Sequence, residues 1–430
     1  MKNKKYIPRL FDQILEFALK TKGAVLVEGP KWCGKSTTCK RFAKEIVDLM
    51  PIKTREDYIL EAQIAPDYFL SSRKKPLLID EWQHIDFIWD QIKVEVDEVG
   101  EFGQYILTGS VTDKDSKENN NEEKHTGNGR IVRKKMRTMS LYESGESNGT
   151  VSISDLKKGY FNIAKSSMSL DDYAFSLCRG GWPLAINQNR DIALQQAKDY
   201  YNVLVSDDIF SLKSIKLIKD ENKARRLMRS YSRNISIAVS TQTIIDDCTV
   251  DNEAFDKETV YKYLQALEYL HVIEELPAWN PNIRSKTSIR TKPTRHFTDP
   301  SIATACLGLT PDSLFKNIDT FGLLFESLVI RDLRIYCDTI NARLYKYRDS
   351  KNREADAVIQ FEDGDWALIE VKMGGQKDID AACVKLLDIA KDINEDKTGK
   401  KSFLMVVTKG NLAYKRKDGV YVIPLGCLKN

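Results

Sequence analysis

The stretch GPKWCGKST, residues 29–37, lies between the apolar run AVLVE and the segment TCKRFAKEIVDL, whose spacing is typical of a helix. Gly29, Gly34, Lys35 and Ser36 fill every fixed position of the P-loop pattern, which requires a strand before the loop and a helix after it. Glycines let backbone N–H groups turn toward a β-phosphate, the helix N-terminus adds its dipole, and the lysine neutralises phosphate oxygens. The stretch therefore predicts a nucleotide-binding loop in a parallel α/β domain, with an ordinary glycine turn as the alternative.

The acidic end of LLIDE supports the nucleotide interpretation. Asp80 and Glu81 follow a short buried-strand pattern, and two adjacent carboxylates at the mouth of a sheet repel each other unless a cation lies nearby. We expect Asp80 and Ser36 to hold Mg²⁺, and Glu81 to orient or deprotonate the attacking water. A merely solvated acidic strand end is the alternative. Thr108 or Ser110 in ILTGS could sense the γ-phosphate, although Thr-Gly-Ser is also a common turn.

The predicted ATP-binding residues combine the loop with these later positions. They are Gly29, Pro30, Lys31, Trp32, Cys33, Gly34, Lys35, Ser36, Thr37, Asp80 and Ser110. Trp32 and Cys33 occupy variable positions of the pattern, and we expect their side chains to point outward. ATP and Mg²⁺ are thus the predicted cofactors.

Composition limits the other possibilities. The chain has 430 residues, enough for two or three hydrophobic cores, and its 66 basic and 62 acidic residues leave a net charge of +4. Any nucleic-acid-binding surface must therefore be local. The eight cysteines form no CxxC pair and only four histidines accompany them, which argues against a zinc site or a disulfide framework. Without a secretory apolar region or a run of roughly 18 apolar residues, a cytoplasmic protein with no membrane partner is expected.

The middle of the chain has a predominantly helical pattern. The helix pattern DKETVYKYLQALEYL precedes the strand-like HVIEELPAW, the basic turn NIRSKTSIRTKPTR and the strand-like RHFTD. Helix, strand, basic turn and strand is the order of a winged helix.

The cations of that turn suggest DNA as a partner. They are Arg284, Lys286, Arg290, Lys292 and Arg295. On a wing they would contact DNA phosphates with little sequence preference, and Tyr261 would lie on the groove-reading face of the helix. The alternative is a winged helix that packs on the first domain as a lid, with charges that only confer solubility.

The last segment has the order αβββαβ. FGLLFESLVIRDLRIY reads as a helix, followed by the strand patterns ARLYKYRD, ADAVIQFE and WALIEVK, a helix from about residue 377 to 393, and the strand SFLMVVTK. Glu326 lies on the first helix, Asp356 on the second strand, and Glu370 and Lys372 on the third. The predicted catalytic carboxylates and lysine thus fall on neighbouring elements.

These residues can serve phosphodiester cleavage. Two carboxylates on neighbouring strands, Asp356 and Glu370, bind Mg²⁺ beside a scissile phosphate, and Lys372 positions or deprotonates water. The pattern resembles the PD-(D/E)xK motif of restriction-endonuclease-like nucleases, with Ala355 in place of proline and Gln376 at a supporting position. An edge strand whose Glu and Lys merely face water is the alternative.

Phrases along nearly the whole chain resemble one family. VEGPKWCGKST, LLIDEWQ, ILTGS, HTGNGRI, GGWP and IEVK are similar, in that order, to predicted prokaryotic AAA-type ATPases with an uncharacterised C-terminal domain. The resemblance implies an AAA-like fold for the first domain. It also implies that Arg130 is an arginine finger that reaches the γ-phosphate of a neighbouring copy in a homo-oligomer. Alternatively, Arg130 only opens the basic, solvated or DNA-facing segment RIVRKKMR.

The predicted architecture is α/β with four parts. Residues 1–150 form a P-loop (AAA-like) ATPase domain, 151–230 a helical lid, 231–312 a winged helix, and 313–430 a restriction-endonuclease-like domain. The predicted function is a Mg²⁺-dependent ATPase coupled to a DNA-associated, nuclease-like domain. The alternative is an ATP-dependent signalling switch whose C-terminal domain is a non-catalytic recognition module.

Overall fold

A computed structural model of the chain describes residues 6–109, 129–212, 219–249, 256–280 and 292–430. The helices are α1 (Phe11–Thr21), α2 (Lys35–Phe42), α3 (Ile52–Ile64), α4 (Pro66–Ser71), α5 (Ile88–Val99), α6 (Ile153–Lys157), α7 (Leu170–Arg179), α8 (Arg190–Val203), α9 (Glu221–Arg233), α10 (Thr241–Cys248), α11 (Lys257–Tyr269), α12 (Ser301–Cys306), α13 (Pro311–Leu314), α14 (Ile318–Thr339), α15 (Gln376–Asp392) and α16 (Glu395–Thr398). The strands are β1 (Ala24–Glu28), β2 (Glu45–Asp48), β3 (Leu77–Asp80), β4 (Tyr105–Thr108), β5 (Ile131–Lys135), β6 (Val151–Ser152), β7 (Ala164–Lys165), β8 (Arg343–Arg348), β9 (Glu354–Gln360), β10 (Trp366–Lys372), β11 (Lys401–Thr408), β12 (Leu412–Lys415), β13 (Tyr421–Pro424) and β14 (Leu428–Lys429). Within these residues, no helix has the length and apolarity needed to cross a bilayer.

The first sheet is parallel, as the sequence predicts. Its strand order is β2-β3-β4-β1-β5, and every neighbouring pair runs in the same direction. The carboxyl ends of β1, β3 and β4 therefore meet at one edge of the sheet. This edge carries the P-loop after β1, Asp80 at the end of β3 and Thr108 opposite it on β4.

One prediction for this domain is wrong. The segment TCKRFAKEIVDL is not a single helix: α2 ends at Phe42 and β2 begins at Glu45. Ala43 between them is extended, and Ile46 and Val47 pair in parallel with β3. The β-branched pair gains more from the sheet than from a longer helix, and helical spacing alone does not reveal this.

The region predicted as a winged helix is described only in part. After α11, Ile273 and Leu276 form antiparallel bridges with Phe297 and Thr294, and Ala278 forms a parallel bridge with Lys346 of β8. The wing cations Arg284, Lys286 and Arg290 lie outside the described residues. Of the two others, Lys292 is exposed, whereas Arg295 is 5% exposed and pairs with Glu275. Arg295 is therefore a structural cation, and the winged helix stays a prediction.

The second sheet contains the predicted αβββαβ order. Strands β8, β9 and β10 form an antiparallel meander, and β11 and β13 continue the sheet in parallel with β10. The sheet order is β7-β12-β13-β11-β10-β9-β8. Strand β7 pairs with β12 and β6 pairs with β14, although the sequence assigns both to the helical lid. Strands of two residues are too short to produce a periodic signal.

Hydrophobic packing joins the later regions. One continuous core contains Trp182 and Tyr200 of the first helical region, Tyr263 of α11, Phe325 of α14 and Ile369 of β10. The boundaries expected at residues 230 and 312 thus do not separate hydrophobic cores. The first sheet packs its two faces into separate clusters.

Candidate functional site

Two glycines shape the loop between β1 and α2. Gly29 has φ +149°, and a Cβ there would lie 2.0 Å from the carbonyl oxygen of Met136. Gly34 has φ +102° and immediately precedes α2, in a left-handed conformation that side chains disfavour. The loop thus turns sharply into the helix N-terminus, as a phosphate-binding loop does.

Lys35 and Ser36 begin α2 and extend toward different partners. The Lys35 ammonium donates to the carbonyl oxygens of Gly29 (2.8 Å) and Pro30 (3.0 Å), so it lies across the loop. The Ser36 hydroxyl donates to Asp80 Oδ1 at 2.9 Å. The structure thus brings together the loop serine and the strand-end carboxylate, which are far apart in the sequence.

Asp80 is buried at the end of β3. Thr108 also donates its hydroxyl to Asp80 Oδ1, and the Lys40 ammonium lies 3.5 Å from Asp80 Oδ2. Thr108 is buried, and its hydrogen bond positions this carboxylate, while its role as a phosphate sensor stays a prediction. The other sensor candidate, Ser110, lies outside the described residues.

Glu81 follows in a left-handed conformation with φ +61°. Its backbone N–H donates to the Thr108 carbonyl at 2.7 Å, and the Gln83 amide donates to its carboxylate. A non-glycine residue in this conformation is uncommon and is held by these contacts. The turn places Glu81 directly after Asp80 at the carboxyl end of β3.

These residues fit a magnesium ion. A serine hydroxyl and a buried carboxylate 2.9 Å apart supply the oxygen ligands that Mg²⁺ prefers. Water and phosphate typically supply the other ligands of Mg²⁺ at sites of this kind.

Other loop side chains contact the helical region. Lys31 forms an ion pair with Asp208, and the half-exposed Trp32 packs edge-on against Tyr200 with ring centroids 5.6 Å apart. Cys33, in contrast, is buried with its Sγ 3.6 Å from the Met136 carbonyl oxygen. The expectation that Cys33 points outward is therefore wrong, because the tight turn after Gly29 directs it into the core. Thr37 is exposed.

Arg9 holds the loop through hydrogen bonds to backbone carbonyl groups, and sequence reasoning did not identify this residue. Its guanidinium is buried and donates to the carbonyl oxygens of Cys33 (2.8 Å) and Arg137 (2.8 Å). It also pairs with Glu143 at 2.9 Å. A single arginine near the N-terminus matches no spacing motif, so the sequence carried no signal for this role.

A cavity of about 480 Å³ adjoins the loop. Its lining residues include Tyr6, Ile7, Gly34, Thr38, Pro183 and Ile186. The Tyr6 hydroxyl donates to Asp12 at 2.6 Å and lies 3.0 Å from the Thr38 hydroxyl. Burial and Asp12 raise the pKa of this phenol, so it stays protonated at neutral pH. The cavity thus offers an apolar wall with a fixed hydroxyl beside the helix N-terminus.

Arg130 lies far from this loop in its own chain. It directly precedes β5, and its carbonyl accepts from Ala24 N at the start of β1, which is the opposite end of the sheet from the P-loop. Its side chain pairs with Asp97 on α5. Arg130 therefore cannot reach the nucleotide loop of its own chain.

The predicted carboxylates of the C-terminal sheet do come together. Lys346 of β8 lies 3.5 Å from Glu326 and 3.8 Å from Asp356, and so bridges α14 and β9. Asp356 accepts from the backbone N–H of Val371 at 2.8 Å, which ties β9 to β10 beside Glu370. We call Glu326, Asp356 and Glu370, with their lysines, the carboxylate cluster.

Lysines surround Glu370 in this cluster. Lys372 lies 2.8 Å from Glu370 Oε1, and Lys385 of α15 donates to the same oxygen. The other oxygen, Oε2, is buried without a hydrogen-bond partner. An unpartnered carboxylate oxygen is a potential ligand atom for a metal ion, and together with Asp356 it fits Mg²⁺. As placed, however, no three His, Cys, Asp or Glu side chains of the described residues converge closely enough to hold a metal by themselves.

Burial and repulsion between carboxylates raise the pKa values of Glu326 and Glu370. Burial and then Asp356 raise the pKa of Glu326 to about 8, and the same two causes raise the pKa of Glu370. Burial opposes the charge of Lys346, but Glu326 and Asp356 outweigh it and raise its pKa. Sets of coupled, shifted groups are typical of functional sites.

Sequence reasoning missed two members of the cluster and misplaced one. Lys346 and Lys385 matched no motif, because their partners lie on other elements. Gln376, expected in a supporting position, is exposed at the start of α15 and donates to Asp380 at 3.0 Å. It therefore does not contact the cluster.

Comparison with known protein families divides the chain into three parts. Residues 21–144 match the family profile of an AAA domain. Residues 170–313 and 321–428 match two domains of unknown function, DUF8612 and DUF4143. The parallel sheet and the first match together show a P-loop ATPase-like domain of the AAA type, which binds a nucleotide and typically a divalent metal. The two other matches name no activity.

Individual relatives add little. No curated protein resembles the chain closely enough to count as a relative. A Walker-type ATPase of Pyrococcus abyssi is 15% identical, covers 71% of this chain and 97% of its own, and has a TM-score of 0.42. A signal transduction ATPase with numerous domains (STAND) and a tetratricopeptide repeat sensor, from Pyrococcus horikoshii, is 12% identical, covers 79% of this chain and 48% of its own, and has a TM-score of 0.25. At these TM-scores neither structure supports an argument about the present chain.

Proposed function

We propose that the N-terminal domain binds ATP with Mg²⁺ and hydrolyses it. The observation that carries this proposal is the 2.9 Å hydrogen bond between the Ser36 hydroxyl and Asp80, which joins the P-loop to the acidic strand end. When bound there, Mg²⁺ would offset the negative charge of the phosphate oxygens. The AAA domain match over the same residues supports this assignment.

The chain's own residues have separate roles in this reaction. Backbone N–H groups of the loop and the α2 N-terminus bind the phosphates, and Lys35 exchanges its two carbonyl partners for phosphate oxygens. Glu81 orients or deprotonates the attacking water. The cavity beside Tyr6 and Pro183 accommodates the base, with the Tyr6 hydroxyl at its edge.

Lys35→Ala tests hydrolysis. Loss of the ammonium leaves the triphosphate charge uncompensated, so we expect turnover of ATP to fall at least about 100-fold. Phosphate release by purified full-length protein measures the effect, and Lys20→Ala, at an exposed position of α1, serves as the control. Wild-type turnover in Lys35→Ala would mean that the loop has another role.

Arg130 can act as an arginine finger only in a homo-oligomer. Since it lies at the end of the sheet opposite to its own P-loop, a finger role requires a second copy of the chain. The homo-oligomer and the finger both stay predictions, as does the cytoplasmic location.

A second proposed activity, cleavage of DNA phosphodiesters, rests on the carboxylate cluster. Glu326, Asp356 and Glu370 converge from three elements with lysines among them, as nucleases of the PD-(D/E)xK type arrange theirs. Asp356 and Glu370 would hold Mg²⁺, and Lys372 would position water. In the competing hypothesis, the same domain is a non-catalytic recognition module controlled by the ATPase.

Glu370→Ala distinguishes these two hypotheses. Wild-type protein is incubated with ATP, Mg²⁺ or Mn²⁺, and plasmid or single-stranded DNA, beside Glu370→Ala and the control Glu395→Ala at an exposed position of α16. We expect cleavage products from the wild type and the control, and none from Glu370→Ala. If the wild type does not cleave DNA, or if Glu370→Ala cleaves it equally well, the nuclease hypothesis is contradicted and the recognition-module hypothesis is favoured.

A further inference from the structure

A groove of about 660 Å³ lies between the two sheets, where the edge strand β5 faces the start of β8. Its charged lining residues are Arg133, Lys134, Lys135, Arg137 and Arg343, with Asp338 and Glu362 as the acidic members. The lining includes no residue of the P-loop and none of the carboxylate cluster. We call it the interdomain groove.

Some of these cationic side chains form ion pairs within the chain. Arg133 pairs with Glu28, Lys135 lies 3.2 Å from Glu274, and Arg137 pairs with Glu274 and Asp338. Lys134 and Arg343, in contrast, have no ion-pair partner among the described residues. They can meet an anionic ligand without breaking an internal pair.

The remaining lining of the groove is mixed, with two amide side chains beside Ile14, Ala342, Phe361 and Gly364. Asn341 and Gln360 contribute side-chain amides, and Gln360 is the cross-strand neighbour of Arg343. Phe361 also lines the groove but is buried, so it offers little surface for an apolar ligand. An open groove with excess positive charge fits a hydrophilic polyanion better than a lipid or an apolar peptide.

Most basic residues of the groove come from two strands. Arg133, Lys134 and Lys135 are consecutive on an extended strand, and Arg343 belongs to a second strand across the groove. Grooves that track a single-stranded backbone do so through positive charge along the groove, and aromatic side chains in them often stack on the bases. A groove of about 660 Å³ is small for a duplex, and this favours a single strand as its ligand.

We propose that the interdomain groove binds the phosphate backbone of a single-stranded nucleic acid, with Lys134 and Arg343 as its direct contacts. This binding requires neither ATP hydrolysis nor DNA cleavage by the chain. It uses a surface distinct from the predicted wing. A ligand in the groove contacts both sheets at once.

A pair of charge reversals tests the assignment. Lys134→Glu/Arg343→Glu is compared with Lys53→Glu/Lys74→Glu, which makes the same change in net charge at exposed positions toward the opposite, β2 edge of the first sheet. The probes are fluorescein-labelled single-stranded and duplex oligonucleotides of one length, and the readout is fluorescence anisotropy with full-length protein at about 50 to 200 mM salt. Phosphate release from ATP is measured in parallel.

The groove variant is expected to bind the single strand at least ~10-fold more weakly than the wild type, with a salt slope smaller by roughly 1 to 1.5. The control variant keeps most of its affinity, and both variants retain ATP turnover. If the groove variant does not fold, Lys134→Gln/Arg343→Gln replaces it and should show a smaller loss of the same kind. A wild type that binds no oligonucleotide, tighter binding of the duplex, or equal losses in both variants would overturn the proposal. If the wild type shows no ATP turnover, the proposed ATPase activity is contradicted, and the groove proposal is not affected.

Discussion

At the scale of single residues, the nucleotide loop depends on the absence of a side chain at Gly29. A Cβ there would meet the Met136 carbonyl oxygen at 2.0 Å, and the obstacle is backbone that cannot rotate away. The positive φ of +149° adds strain for any other residue. Gly29→Ala must therefore displace either the loop or the segment that follows β5.

We predict that Gly29→Ala destabilises the protein by at least about 2 kcal/mol and abolishes ATP binding. The matched control is Gly100→Ala, whose φ is +67° but whose Cβ would meet no atom within 4 Å. The control should cost about 1 kcal/mol and leave ATP binding intact. Urea unfolding and nucleotide titration measure both variants, and equal losses would contradict the proposed clash.

The sequence predicted those site residues that lie in local motifs. Ser36 and Asp80 each belong to a short pattern whose chemistry is recognisable, and the structure brings them within 2.9 Å. Arg9 and Lys346 belong to no pattern, because long-range packing alone creates their contacts. Cys33 belongs to a motif, but the predicted direction of its side chain is wrong. A motif determines which residue occupies a position and not where the side chain points.

At the scale of secondary-structure elements, α14, β9 and β10 converge to bury Glu326 beside Asp356. Burial, and then the Asp356 charge, raise the pKa of Glu326 from its ordinary 4.5 to about 8. The folded protein therefore holds a proton that the unfolded chain releases above pH 4.5. Binding of this proton to Glu326 contributes to the free energy of unfolding. The contribution is complete below about pH 4.5 and is lost as the pH rises through about 8.

Glu326→Gln mimics the protonated side chain and does not titrate. We predict that the Tm of this variant, relative to the wild type, increases steadily from about pH 5 to about pH 8. Glu395→Gln, at an exposed position of α16, is the control for the loss of one carboxylate. Differential scanning fluorimetry without divalent metal measures these values. A flat difference for Glu326→Gln would mean that this carboxyl titrates normally.

Sequence patterns predicted the longer elements. The apolar runs of β1, β3, β4 and β8 to β11 and the helix patterns of α11, α14 and α15 are at the expected positions. The missed strands β2, β6 and β7 have two to four residues, which is less than one clear repeat of any pattern. Pairing with distant strands decides their structure, so a local window cannot predict them.

At the scale of the whole molecule, buried polar contacts connect the nucleotide loop to the C-terminal region. Arg9 joins the Cys33 carbonyl to the Arg137 carbonyl, and the Arg137 side chain pairs with Glu274 and with Asp338 of α14. Burial disfavours the Glu274 charge, but Arg137 and the neighbouring cations outweigh it and hold the pKa of Glu274 well below its usual value. A continuous chain of contacts thus links the P-loop to the segment that follows α11 and to helix α14.

This continuity bears on the predicted domain limits, which stay a prediction. Changes in the helix and strand pattern suggested boundaries at residues 230 and 312. One hydrophobic core crosses both positions, whereas the family matches that end at residue 313 and begin at residue 321 agree with the second. Strands β6 and β7 return from the first half of the chain to pair near its end. Contacts between residues so far apart leave no trace in the local composition.

The most direct test of the central claim is Mg²⁺-dependent binding of a non-hydrolysable ATP analogue to wild type, Ser36→Ala, Asp80→Asn and the double variant, measured by isothermal titration calorimetry. If Ser36 and Asp80 hold one ion jointly, each single variant should lose the gain in affinity that Mg²⁺ gives, and the double variant should lose no more. Retention of that gain in either single variant, or losses that add in the double variant, would contradict a shared magnesium site at this loop.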